Sequence, residues 1–218
     1  MLHRGSYGLP LFDMSLTLSY CQFMAKKQTD TRTKILEATW HLMEKNCGLN
    51  VSMSKIANEA GISRQALYLH FKSRIDLMIA TVNYVDDVKC LNERLKEFQA
   101  ATTGIELLEA CVDVWGNYIP EIYGLAKAML NTRETDEAAA VAWSGCTSSL
   151  RDVCATTINT LAKEGKLSSN WTTKTATEMF WTMLSIYNWE QLTIEAGWSN
   201  KQYIDEMTNL LKQVFIDG

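Results

Sequence analysis

Apolar residues in this chain recur at steps of three and four and nowhere alternate with polar ones over the length of a strand, so the pattern predicts helix throughout. A first helix is expected from Asp30, whose carboxylate can accept hydrogen bonds from first-turn amides, to a stop at Gly48. Its inward face is Ile35, Leu36, Thr39, Leu42 and Met43. Two short helices follow, one after Ser52 that ends at Gly61 and one from the cap Ser63 to about Lys72. Met78, Val82, Val85, Val88, Leu91, Leu95 and Phe98 then describe one long helix from about Arg74 to Phe98. Ile105, Leu108, Val112, Trp115 and Ile119 mark another, and Pro120 is expected to open the next at its tolerated first-turn position. Thr135, Asp136 and Glu137 suit the start of a helix that runs to Lys163 and stops at Gly165. Lys166 to Thr173 reads as a loop. A penultimate helix then reaches about Ala196, with a stop at Gly197, and a last one spans roughly Asn200 to Ile216. The prediction is all-α, with nine helices and no internal repeat.

The end of the chain carries more apolar surface than one helix face needs. Residues 179–189, MFWTMLSIYNW, are apolar around most of a helical circumference, and Tyr203, Ile204, Met207, Leu210, Leu211, Val214 and Phe215 form a broad stripe on the last helix. Two such helices from each of two subunits would close a four-helix seam, so a homodimer is expected, with Leu211 in the seam. The alternative is burial within one domain. Residues 105–190 are also rich in aromatics. Most of these are expected in the core, and Trp115, Tyr118, Tyr123, Trp143 and Tyr187 are the candidates to line an effector cavity, since sites for small molecules are largely apolar and aromatic. Glu109, Asp113 or Glu190 would pair with a cationic effector buried beside them.

Charge divides the chain. Residues 24–80 hold nine Lys/Arg against five Asp/Glu, while residues 81–218 hold eleven against nineteen, beneath a net charge of −4. The basic segment is the candidate polyanion binder. Six cysteines at 21, 47, 90, 111, 146 and 154 form no CxxC pair and only three histidines accompany them, so a reduced cytoplasmic chain without metal or cofactor is expected. Charged residues interrupt every hydrophobic stretch, which predicts no membrane span. Residues 1–23 read as an extension, translated upstream of a natural start at Met24 or acting as a docking arm. Residues 24–73 then form a basic helical domain, and residues 74–218 a second helical domain.

Within residues 52–74, SMSKIANEAGISRQALYLHFKSR, the apolar positions Ile56, Ala57, Ala60, Ile62, Leu67 and Phe71 can pack two short helices against the first, with Gly61 at a turn that asks for positive φ. Arg64, Gln65, Tyr68 and Lys72 project together on the face opposite Leu67 and Phe71. That arrangement is a helix-turn-helix. Its donor-rich second helix suits the major groove, where arginine can bond guanine and glutamine can bond adenine bidentately. Residues 31–80 resemble the DNA-binding domain of the tetracycline-repressor (TetR) family, through ILEA at 35–38, Gly48, IANEAGIS at 56–63, LYLHF at 67–71, Lys72, Ser73 and Leu77. Arg74 stands where lysine is commoner, and Val51 and Ser52 stand where paired threonines are common.

The resemblance implies phosphate contacts from Tyr68, His70, Lys72 and the hydroxyls of Ser52 and Ser54, with Arg64 and Gln65 facing bases. Arg74 is counted with this DNA-binding set. It further implies a DNA-binding transcriptional regulator rather than an enzyme, acting as a repressor that a small apolar or aromatic effector releases from a palindromic operator. Two other readings are a metal-dependent enzyme acting on DNA, for which no convergent acidic motif is found, and a DNA-binding protein without regulatory coupling.

Overall fold

Hydroxyl and carboxylate side chains open most helices among the described residues. Ser52, Ser63, Ser73, Thr103, Asp136, Thr172, Ser185 and Ser199 each accept a hydrogen bond from a first-turn amide of the helix they precede, which satisfies a backbone donor that has no partner within the helix. The computed structural model describes the backbone of residues 14–217 and the side chains of residues 30–217. The described residues form α1 (Met14–Lys45), α2 (Met53–Glu59), α3 (Arg64–His70), α4 (Arg74–Val88), α5 (Leu91–Ala100), α6 (Gly104–Thr132), α7 (Glu137–Lys163), α8 (Thr173–Met183), α9 (Ile186–Trp189), a π-helical turn at Glu190–Glu195, and α10 (Asn200–Phe215). Residues 1–13 of the expected extension lie outside the described residues.

Four expectations about these elements need correction. The first helix begins at Met14, not Asp30. The long helix expected from Arg74 to Phe98 is two helices, broken where Cys90 adopts a left-handed conformation at φ 55°. Conversely, α6 continues through Pro120 as one helix of 29 residues. Proline there withholds one backbone donor, but Tyr118 and Ile119 before it and Leu125 and Ala126 after it are all buried, and this packing holds the two halves in line. The penultimate helix stops at Met183. Ser185 then caps α9, and the π turn, marked by the Ala196 amide bonding the Gln191 carbonyl, ends before Gly197 at φ 76°.

Two apolar clusters organise the packing. The first joins Ile35 and Met43 of α1, Ile56 of α2, Leu67 of α3, and Leu77, Met78 and Val85 of α4 to Leu125, Ala128 and Met129 of α6 and Ala138, Ala139 and Ala142 of α7. The second gathers Leu108, Val112 and Ile119 of α6, Ile158 and Leu161 of α7, Phe180 of α8, and Tyr203, Met207, Leu211 and Phe215 of α10. Helices α6 and α7 belong to both, and Trp143 packs against both. The two helices are thus a continuous rod pair between the N-terminal helices and the C-terminal bundle. Leu211, expected in a subunit seam, is fully buried inside its own chain, because the apolar stripe of α10 packs on α6.

At the α6–α7 corner, Gly48 sits at φ +80° and a Cβ built on it would lie 2.4 Å from the Ala128 carbonyl oxygen, so the α1–α2 turn and α6 approach backbone to backbone. Beside it Arg74 donates from Nε and Nη2 to the Asp136 carboxylate, at 3.0 and 2.6 Å to Oδ2, tying the start of α4 to the start of α7.

Candidate nucleic-acid interface

Helices α2 and α3 are seven residues each and too short to persist alone, so their placement depends on what they bury. Ile56, Ala57 and Leu67 are essentially inaccessible and Phe71 is buried just beyond α3. Gly61 holds the turn between them at φ +68°, with open space where a Cβ would point, so the backbone angle alone asks for glycine there. The Ile62 amide closes the turn on the Ala57 carbonyl at 3.0 Å. Ser63 then caps α3, accepting from the Ala66 amide at 3.1 Å.

With Leu67 and Phe71 turned inward, Arg64, Gln65, Tyr68 and Lys72 are all exposed. The Arg64 guanidinium lies over the Tyr68 ring, 5.6 Å from its centroid, which stiffens two long side chains on the outward face. His70 is half-buried. Ser54 is exposed, and Ser52 is also exposed while its Oγ caps α2. Ser52, Ser54, Lys55, Arg64 and Arg74 all border an open cleft that continues to Thr132, Thr135 and Asp136 at the α6–α7 corner. Arg74 differs from the others. Its side chain is three-quarters buried and paired with Asp136, whereas the sequence reading counts it with the DNA-binding residues. Burial alone would raise the Asp136 carboxyl, but hydrogen bonds and charge from Arg74 outweigh it and hold the group below the usual carboxylate range.

Of the five aromatics expected around an effector, three hydrogen-bond within the chain. Trp115 is half-buried and its indole donates to the Leu184 carbonyl at the α8–α9 break. Tyr118 is buried and donates to the Asp86 carboxylate across α4 and α6. Tyr123 donates to Glu190 at 2.7 Å and packs on Trp189 with ring centroids 5.2 Å apart. Burial, and then the bond to Glu190, push its hydroxyl up to about 12. Trp143 lies between the two clusters, and Tyr187 is exposed on α9, directed away from the interior. The open clefts at the α6–α7 corner and beside α5 include none of these five. Of the carboxylates considered for a cationic effector, Glu190 is occupied by Lys127 and Tyr123, Glu109 pairs with Lys212, and Asp113 accepts from Asn117.

Residues 35–81 match the family described as "Bacterial regulatory proteins, tetR family". Over that segment the chain is similar to tetR-family proteins. Two curated relatives are nucleoid occlusion factors SlmA. The one from Marinomonas sp. (strain MWYL1) is 25% identical over 115 residues, 52% of this chain and 58% of the relative. The one from Shewanella amazonensis is 32% identical over 63 residues, 29% of this chain and 32% of the relative. The chain thus spans less than two thirds of the length of these relatives. Among solved structures, a proposed transcriptional regulator from Saccharomonospora viridis in complex with choline superposes with a TM-score of 0.69 at 16% identity, covering 87% of this chain and all of that one. The regulator FadR from Bacillus subtilis in complex with stearoyl-CoA gives 0.67 at 14% identity, covering 84% and 98%. At these identities the likeness is one of fold.

Two residues escaped the sequence reading. Leu69, four residues after Gln65, stands on the outward side of α3 with 85% of its surface exposed. Asp86 stands at the edge of the apolar stripe of α4, four residues after Val82, and faces Tyr118 on α6 and Cys146 on α7. Burial raises its carboxyl, an effect the Tyr118 hydrogen bond only partly offsets. The signal for both was present. One is an apolar residue in a polar strip, and the other an acid beside an apolar stripe.

Proposed function

We propose that this protein is a dimeric transcriptional repressor that grips a palindromic operator with α2 and α3 and lets go when a small apolar or aromatic molecule binds within residues 74–218. The observation that carries the reading is the outward face of α3, where Arg64, Gln65 and Tyr68 stand exposed, with Lys72 exposed just past its end, on a helix anchored from behind by Leu67 and Phe71. Arg64 and Gln65 supply the forks that read guanine and adenine edges. Tyr68, Lys72, His70, Ser52 and Ser54 fix the register through phosphates, which carry no sequence information. Arg74 contributes from behind, by holding α4 to Asp136.

The regulatory half of the proposal draws on the shared rod pair. A ligand that parted the aromatics of the second cluster would displace α6 and α7, and the first cluster rests on their corner. That proteins with this fold are found in complex with choline and with stearoyl-CoA supports a small-molecule ligand for this one. Since paired recognition helices must enter major grooves about 34 Å apart, a few ångströms of spreading would disfavour the operator.

Selection from random-sequence duplexes tests the first half: a palindrome with half-sites about one helical turn apart is expected. Titrating aromatic ligands by tryptophan quenching, with and without the selected duplex, tests the second. A coupling of about 1 to 3 kcal/mol weakens both partners by the same factor, about five- to 150-fold. A second reading, DNA binding without an effector, draws on the nucleoid occlusion factors, which match 52% and 29% of the chain. It predicts duplex affinity indifferent to every ligand tried.

A further inference from the structure

Leu69 is the most exposed large hydrophobic side chain among the described residues, at 85%, and it belongs to neither apolar cluster. Its place explains why. On α3 it follows Gln65 by one helical turn and adjoins Tyr68, so Arg64, Gln65, Tyr68 and Leu69 form one outward strip while Leu67 and Phe71 face the core. A strip meant only to grip phosphates or to stay hydrated gains nothing from a bare isobutyl group. The surroundings narrow the occupant. Arg64 on the same helix and Lys72 just past its end, with Lys55 nearby on α2, favour a polyanion and disfavour an apolar protein surface, since packing against one would strip water from these cations. Along the major groove of B-form DNA the one apolar group a base edge offers is the C5-methyl of thymine.

We propose that Leu69 is a specificity-determining residue that packs on a thymine methyl within each half-site, beside the bases contacted by Arg64 and Gln65. The inference rests on the DNA-reading face proposed above. It makes recognition there depend on a methyl group with no hydrogen-bonding capacity.

Deoxyuridine isolates that methyl, because it keeps the pairing and groove hydrogen bonds of thymidine and removes only the C5-methyl. The duplex selected by the full-length protein is remade with deoxyuridine at each thymidine in turn, and affinities are measured for the native chain, Leu69→Ala and Arg64→Ala. At one thymidine per half-site the native chain should lose about fourfold in affinity for the missing methyl. Leu69→Ala should bind the thymidine and deoxyuridine duplexes equally there, while Arg64→Ala keeps the discrimination. Leu69 is almost fully exposed, so the alanine variant should match the native far-ultraviolet circular dichroism. Indifference of the native chain to every thymidine-to-deoxyuridine change, or an unaltered discrimination in Leu69→Ala, overturns the assignment. If Arg64→Ala nonetheless shifts base preference, the DNA-reading face survives and Leu69 alone loses its role. If the native chain selects no sequence at all, both fall together.

Discussion

Gly48 and Gly61 both adopt positive φ, yet the protein asks different things of them. At Gly61 the space beyond Cα is open, so alanine meets only the backbone penalty of a left-handed conformation, about 1 to 2 kcal/mol. At Gly48 the same penalty is joined by a collision with the Ala128 carbonyl oxygen, 2.4 Å from a built Cβ, and with Thr132. The nearer obstacle is backbone, so α6 itself must move. Urea denaturation should therefore find Gly48→Ala destabilised by at least 2 kcal/mol more than Gly61→Ala, roughly what a strained contact adds in a packed interior. Similar losses would mean that the corner yields easily and is no fixed seat for the N-terminal helices. The residue scale was only partly legible in the sequence. Gly61 announced itself through the turn chemistry of a helix-turn-helix, whereas the close approach at Gly48 involves Ala128, eighty positions away, and local pattern does not report such a neighbour.

Helix boundaries show the same limit at the scale of elements. α7 and α10 were readable because their caps, apolar steps and stops agree, with Asp136 opening one and Ser199 the other. The break between α4 and α5 was not, since Val85, Val88, Leu91 and Leu95 keep a helical step straight through the single left-handed residue Cys90. Pro120 misled in the opposite sense, because its neighbours on both sides are buried and the packing outweighs one lost hydrogen bond. Arg74 was legible as a basic residue next to the motif, but its partner on α7 was not. The pair has its own signature. Asp136→Asn keeps an oxygen to cap α7 while removing the charge that Arg74 pairs with, and should cost about 1.5 to 3 kcal/mol at neutral pH. Because Arg74 holds the native Asp136 carboxyl below its unfolded value, this stabilisation is complete above the usual carboxylate range. It should disappear as pH falls through about 4 and below. Denaturation of both proteins at pH 7, 5 and 3 would follow the gap; a constant gap would mean that the pair adds no charge-dependent stability.

On the proposed function, one chain combines DNA grip, a transmitting pair of helices and assembly. Among the described residues no helix is long and apolar enough to cross a membrane. Assembly is where the structure most changed the expectation. Leu211 is consumed by its own core, and Met179, Tyr187, Ile194 and Leu210 instead present apolar surface from α8 to α10. If a subunit seam covers them, Leu210→Glu should shift sedimentation toward monomer with folding intact, whereas Leu211→Glu should unfold the chain by burying an unpaired charge. A Leu210→Glu protein that remains a tight dimer moves the seam elsewhere. On the proposed function the outward face of α3 reads sequence, with Arg64 facing a base and Lys72, just past the helix, a phosphate. Competition binding against single-base variants of the selected duplex compares the two roles within one protein. Arg64→Ala should lose about 1 to 3 kcal/mol of discrimination at one base pair per half-site, and Lys72→Ala should weaken every sequence alike and lower the salt dependence by about one counterion per subunit. Unchanged base preference in Arg64→Ala, with the protein folded and still bound to the duplex, would contradict the account.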